Sequence, residues 1–122
     1  MARLMIVVDS IFQRKTLRKM VTQMGWEVVA EASNGREAVE RYPNSRPDLV
    51  LMDLVMPEME GIEAVEKILE LDKSAKIVVV SSMGYDEIVN KAMSLGAKQF
   101  ISKPVNLGHA ANVIKTVLEE GI

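Results

Sequence analysis

The chain has no cysteine among its 122 residues, which excludes a disulfide framework, a cysteine zinc site and a thiol nucleophile. That absence suits a reducing compartment. Histidine is nearly absent too. His109 stands alone, so no histidine metal cluster or catalytic triad can form, and a surface place on the last helix is expected for it. There is no excess of positive charge. A net charge of −2 gives no electrostatic footing for nucleic acid. Long hydrophobic runs are missing as well. The longest, residues 4–8, falls far below the ~20 residues that span a bilayer and is short for the apolar part of a signal peptide. No Gly-x-Gly-x-x-Gly follows that first run, which argues against a dinucleotide enzyme. No linker, repeat or low-complexity segment interrupts the chain. The expectation is one domain over residues 1–122, in the cytoplasm, with no second domain following. A domain of this size buries roughly two-thirds of the surface its unfolded chain exposes, so it needs no disulfide or structural metal.

What is present is strongly patterned. Apolar runs of strand length recur at residues 4–8, 26–32, 49–52, 77–80 and 99–101. Several are nearly continuous in Val and Ile, as strands covered on both faces should be. Helical spacing lies between them. Leu17, Met20, Val21 and Met24 follow i, i+3, i+4, i+7; Ile62, Val65, Ile68 and Leu69 form a second such set. Ile88, Ala92 and Leu95 continue the pattern, and Ala110, Val113, Ile114 and Val117 close it. A shorter helix is expected over residues 35–41, capped by Ser33 or Asn34, with Pro43 beyond its end. The order is βα five times. Such alternation predicts an α/β fold, a doubly wound five-stranded parallel sheet with helices on both faces. The flavodoxin-like strand order 2-1-3-4-5 is the leading choice. Ligands meet such sheets at the carboxyl ends of the strands, at the switch between strands 1 and 3.

Those ends carry the polar residues. Asp9 follows the first strand, Asp53 the third, Ser81 and Ser82 the fourth, and Lys103-Pro104 the fifth. Taken singly, each has an ordinary reading. Asp53 could cap the following helix, Ser81 could simply end a strand, and Lys103 could be a solvated lysine. Taken together, two carboxylates, a hydroxyl and an ammonium converge on one edge. Carboxylates and carbonyls suit a hard cation such as Mg²⁺, which keeps waters and bridges to phosphate oxygens. The hydroxyl and the lysine could hold the remaining phosphoryl oxygens. The implied chemistry is phosphoryl transfer onto a carboxylate, giving an acyl phosphate.

The residues Val7-Val8-Asp9-Ser10, Met52 to Gly61, Val80-Ser81-Ser82, Gly96 to Phe100 and Lys103-Pro104 carry a family resemblance. The chain resembles the receiver domain of bacterial two-component response regulators, most closely the single-domain CheY type, over essentially its whole length. The resemblance implies that Asp53 accepts a phosphoryl group from a histidine kinase or a phosphotransfer protein. It implies Mg²⁺ held by Asp9, Asp53 and the backbone carbonyl of Val55. Ser81 would bond the phosphoryl group and move on activation, Lys103 would pair with it, and Phe100 would reorient. In that family the Lys-Pro bond is often cis. Downstream partners read the face of the fourth helix, fifth strand and fifth helix. Here that face would include Tyr85, Asn90, Lys91, Lys98, Phe100 and Lys115. The resemblance implies a signalling protein rather than an enzyme, one that catalyses only its own phosphoryl transfer and dephosphorylation. A monomer is expected, with chemotaxis or a phosphorelay as the pathway.

Two departures from the family pattern matter. An acidic pair usually ends the first strand, but here its first member is Val8. Loss of an outer partner typically costs ~10–100-fold in metal affinity, so weak Mg²⁺ binding is expected. Val8 could also merely extend a buried strand, or be an engineered substitution. The second departure lies at Val55 and Met83, two residues beyond Asp53 and Ser81, which flank the path of hydrolytic water in the family. Both are apolar, so slow autodephosphorylation is expected, against simple loop packing as the plainer account. Val55 also speaks against an aspartyl-phosphate phosphatase, which usually carries a second Asp there. The remaining alternative is a degenerate receiver that binds a partner without phosphorylation, and Val8 is its only support. Finally, Arg14, Lys15, Arg18 and Lys19 make a basic patch on the first helix. A solvated face and a kinase-docking face both account for it. Trp26, Tyr42 and most of the Met residues read as packing.

Overall fold

Alternate residues of each central strand enter different hydrophobic cores. Met5, Val7, Val50, Met52, Ile77 and Val79 pack on one side of the sheet. Leu4, Ile6, Leu49, Leu51, Val78 and Val80 pack on the other. This is the two-residue period of a strand covered on both faces, and it explains why the runs are apolar throughout. In the computed structural model, residues 1–56, 59–82 and 86–122 are described.

The strands are β1 (Arg3–Val7), β2 (Glu27–Ala32), β3 (Leu49–Asp53), β4 (Ile77–Ser81) and β5 (Gln99–Ser102). The helices are α1 (Ile11–Gln23), α2 (Gly35–Ser45), α3 (Gly61–Leu71), α4 (Asp86–Leu95) and α5 (Leu107–Glu120). All four strand pairings are parallel. The sheet order is β2-β1-β3-β4-β5, the order the alternation predicts. Ala38 and Tyr42 of α2, Ala64, Val65 and Ile68 of α3, and Val89 and Ala92 of α4 cover the first face. Leu17, Met20 and Val21 of α1 and Ala110, Ile114 and Val117 of α5 cover the second. The apolar stripes read from the sequence are the stripes that pack, except at Met24, which lies past the end of α1 and is exposed. β3 and β4 are buried along their whole length, while the edge strands β2 and β5 are only partly so.

One boundary departs from expectation. Helix α2 runs through Pro43 to Ser45 instead of ending before it. Proline removes one helical hydrogen bond and crowds the carbonyl four residues back. Here that cost falls in the last turn, where few bonds remain to be lost. The helix stops at Arg46, which takes a left-handed φ of 43° while its N–H donates to Tyr42 O. Of the two candidate caps it is Asn34 that acts, its Oδ1 accepting from Glu37 N at 2.8 Å. Ser33 contributes differently, donating its N–H and hydroxyl to Glu37 Oε1. These bonds hold the Glu37 carboxyl below its ordinary range.

Candidate functional site

Strand β3 delivers Asp53 to the carboxyl edge of the sheet and buries it. The residue is 1 % exposed. An ionised group that far from water needs partners, and both of its oxygens have one. Lys103 Nζ donates to Oδ2 at 2.7 Å, and Val55 N donates to Oδ1 at 3.1 Å. The lysine is fixed from behind as well. Its backbone N–H donates to Ser81 O at 2.9 Å, which continues the β4–β5 ladder by one step. The Lys103–Pro104 peptide bond is cis.

Gly61 explains how the chain turns away so closely. It opens α3, and its N–H donates to Leu54 O at 3.0 Å. A Cβ there would lie 2.2 Å from Asp53 O and 2.6 Å from Leu54 Cα. Only glycine lets the helix start against the backbone that carries the carboxylate. The role of Gly61 is this close approach.

Ser81 ends β4 and is 3 % exposed. Among the described residues its hydroxyl makes only a long contact, with Ser82 O at 3.4 Å. A cleft of about 350 Å³ beside it is lined by Ser82, Asp86, Val89, Asn90, Phe100 and Ser102. Phe100 turns outward, 47 % exposed. Asn90, Lys91 and Lys115 are exposed, whereas Lys98 is half-buried. Met83 and Tyr85 lie outside the described residues.

The β1 end of the rim is built differently. Val8 lies one residue past β1, 1 % exposed, and joins the core on the α1–α5 side. Its N–H donates to Ala32 O at 3.1 Å, so it extends the pairing with β2. It also walls a cavity of about 250 Å³ shared with Leu17, Val80, Lys103 and Val105. Asp9 is exposed, and its carboxylate has no hydrogen bond or ion pair among the described residues. The structure thus brings Asp53, Lys103 and the Val55 backbone into contact, but not Asp9.

One residue near this end was undervalued by sequence reasoning. Arg14 reads as part of a basic face, yet its side chain is only 17 % exposed. It donates to Val8 O at 2.7 Å and to Asp9 O at 3.3 Å, and pairs with Glu31 at 3.4 Å. Arg18 turns to the same carboxylate, while Lys15 and Lys19 remain exposed. Arg18 is itself exposed, so three of the four basic residues lie on a solvated face and only Arg14 is drawn in. His109, on α5, is exposed as expected.

The three groups expected to hold a cation, Asp9, Asp53 and the Val55 carbonyl, would offer oxygen donors only, which suits Mg²⁺ in kind. The set is a sparse one. Among the described residues, no three His, Cys, Asp or Glu side chains gather as a metal-holding group.

Comparison with known proteins agrees with this architecture. The response regulator receiver domain family matches residues 4–115. The chain is 45 % identical over 115 residues to the chemotaxis protein CheY of Thermotoga maritima, covering 94 % of this chain and 96 % of that one. It is 43 % identical over 116 residues to CheY of Bacillus subtilis, covering 95 % and 97 %. Among solved structures, a chain of the CheX-CheY-BeF3-Mg²⁺ complex from Borrelia burgdorferi superposes with a TM-score of 0.91 at 34 % identity, covering 95 % of this chain and 88 % of that one. A CheY-like receiver protein from Methanospirillum hungatei reaches a TM-score of 0.92 at 28 % identity, covering 98 % and 95 %. With the family matched over most of its length and the strand order in agreement, the chain belongs to the response regulator receiver domain family.

Proposed function

We propose that this receiver domain takes a phosphoryl group onto Asp53 from the phosphohistidine of a sensor kinase or phosphotransfer protein, and thereby switches its affinity for a separate target protein. The observation that carries this reading is the buried Asp53 carboxylate held by Lys103 at 2.7 Å. A buried acid paired to a lysine at a strand end is costly for a merely structural role. At a phosphoryl-transfer site the same lysine has work to do. An oxygen of Asp53 forms the new O–P bond as the donor's N–P bond breaks, and that electron pair returns to the imidazole. Lys103, already within bonding distance, stabilises the negative charge on the transferred group. The Ser81 hydroxyl, held among the described residues only by a 3.4 Å contact, would turn toward a phosphoryl oxygen. Phe100 lines the cleft beside it and would follow that movement.

Asp9, Asp53 and the Val55 carbonyl would hold Mg²⁺, which when bound offsets charge on the phosphoryl oxygens. Val8 supplies no donor, so weak affinity belongs to this reading. Exposed Val55 cannot orient water, which favours slow loss of the phosphoryl group. Phosphorylation adds about −1.5 to −2 charge. Partner readout is assigned to the α4–β5–α5 face, where Asn90, Lys91, Phe100 and Lys115 are exposed. The similarity to CheY proteins supports chemotaxis as the pathway. Residues 1–122 are proposed to form one receiver domain, acting in the cytoplasm as a monomer.

The test is incubation with acetyl phosphate and Mg²⁺, followed by intact mass and the amide spectrum. A gain of one phosphoryl group, absent in Asp53→Asn, is expected. No response in the parent chain would leave the degenerate, phosphorylation-independent receiver as the better reading. A phosphorylated lifetime no longer than that of Val55→Asn would count against slow hydrolysis.

A further inference from the structure

We infer that Arg14 is a positioning residue for Asp9: it holds the main chain of the β1–α1 turn so that the Asp9 carboxylate is presented to a divalent cation. The inference rests on the phosphoacceptor reading and adds a residue to it. The geometry is specific. The turn between β1 and α1 contains only Val8, Asp9 and Ser10. Its carbonyls at Val8 and Asp9 both accept from Arg14 Nη1, at 2.7 and 3.3 Å. The Ser10 hydroxyl accepts from Gln13 N at 3.2 Å and fixes the following residue. Asp9 therefore lies between two anchored backbone positions while its own carboxylate remains unpartnered among the described residues.

The far side of Arg14 is anchored too. Its Nε pairs with Glu31 Oε1 on β2, and Glu31 also receives Arg18. The guanidinium is planar and offers several donors in a fixed fork. It can bond the turn and Glu31 at once, which a lysine ammonium on a flexible stem does less well. Val8 sharpens the need. With no second acid at this end of the rim, the contribution of β1 to a cation falls on Asp9 alone, and its placement carries more weight. Groups that orient a metal-holding residue typically change affinity ~10–100-fold when lost.

The test is a Mg²⁺ titration without any phosphodonor, followed by amide chemical shifts, together with amide hydrogen exchange at residues 9–12 without metal. Arg14→Met is expected to weaken Mg²⁺ binding about tenfold and to speed exchange in the turn. Arg14→Lys should fall between it and the parent. Glu31→Gln, which keeps an acceptor for Arg14, should stay near the parent. Acetyl-phosphate labelling should then show a raised Mg²⁺ requirement in Arg14→Met with a near-parent rate at saturation. Should Arg14→Met fail to fold, Arg14→Lys decides the matter: weaker Mg²⁺ binding supports the inference and parent-like binding overturns it. Unchanged Mg²⁺ affinity and exchange in a folded Arg14→Met also overturn it, as does a parent chain that binds no Mg²⁺. Failure of the phosphoacceptor reading is read separately, from a parent chain that acetyl phosphate does not label.

Discussion

The two halves of the rim at the carboxyl edge of the sheet are built on different terms. On the β3–β4–β5 side, Asp53 is 1 % exposed and both of its oxygens are bonded. On the β1 side, Val8 is sealed into the core, and Asp9 is exposed with an unpartnered carboxylate among the described residues. One half is assembled before any ligand arrives. The other contributes a single acid, held through its backbone. On the proposed function, such a site would be strong in its covalent chemistry and sparse in its metal chemistry at once. The first would depend on contacts already made inside the fold, and the second on an exposed carboxylate.

The sharpest break of the assembled half is Asp53→Asn. It keeps the shape and removes the nucleophile, so the mass gain from acetyl phosphate should vanish completely. Labelling at undiminished level would move the acceptor elsewhere. Next comes Val8→Asp, which gives the sparse half a second acid. Mg²⁺ affinity should rise by about 10–100-fold, read by titration calorimetry, while global stability falls because a carboxylate replaces a buried valine. An unchanged affinity would mean that the halves do not differ in the way described. Lys103→Met tests what holds the assembled half together. It leaves a buried carboxylate short of its cation, at about 1–3 kcal/mol in urea unfolding at neutral pH. In an Asp53→Asn background that cost should largely disappear. An equal cost in both backgrounds would show that Lys103 stabilises the fold by some other contact.

The smallest effect is a control placed away from the rim. Tyr42 donates to Asp72 Oδ2 at 2.8 Å, joining the last turn of α2 to the residue that ends α3. The Ser74 hydroxyl, followed by Tyr42, holds the Asp72 carboxyl below its ordinary range. Burial, followed by Asp72, raises the Tyr42 phenol. A lowered carboxylate stabilises above its unfolded value near ~4, and that contribution is lost as pH falls through its folded value. A raised phenol stabilises below ~10, with loss only as pH climbs through its folded value. Tyr42→Phe should therefore cost about 0.5–1.5 kcal/mol at neutral pH. The loss should shrink in acid, measured by thermal unfolding across a pH series. Neither Mg²⁺ affinity nor labelling of Asp53 should move. A change in either would couple this bond to the rim.

Much of this was legible in the chain. Unbroken Val and Ile runs marked strands covered on both faces, and alternation with helices set the parallel order. The logic of strand ends brought Asp53 and Lys103 together across fifty positions, because parallel strands all finish on one edge. Arg14 was not legible in the same way. Periodicity reports which side of a helix is apolar, but not that its first turn reaches back over the preceding loop. Pro43 misled for a related reason. Its cost depends on where in a helix it falls, and composition alone does not show how many turns remain. The need for Gly61 was not legible either, because it lies in the distance to Asp53 O.

Lys103 touches three strands at once: it follows β5, its N–H is fixed to β4, and its ammonium reaches the end of β3. Its two ends differ in freedom. The backbone end is locked into the ladder, while the ammonium end hangs on a chain of rotatable methylenes. A new group on Asp53 would push the ammonium aside, and the displacement would be absorbed by side-chain torsions before it could bend the sheet. The lysine thus works as a compliant tether on a rigid frame. On the proposed function, a signal raised at Asp53 would leave through movable side chains around the rim rather than through the strands.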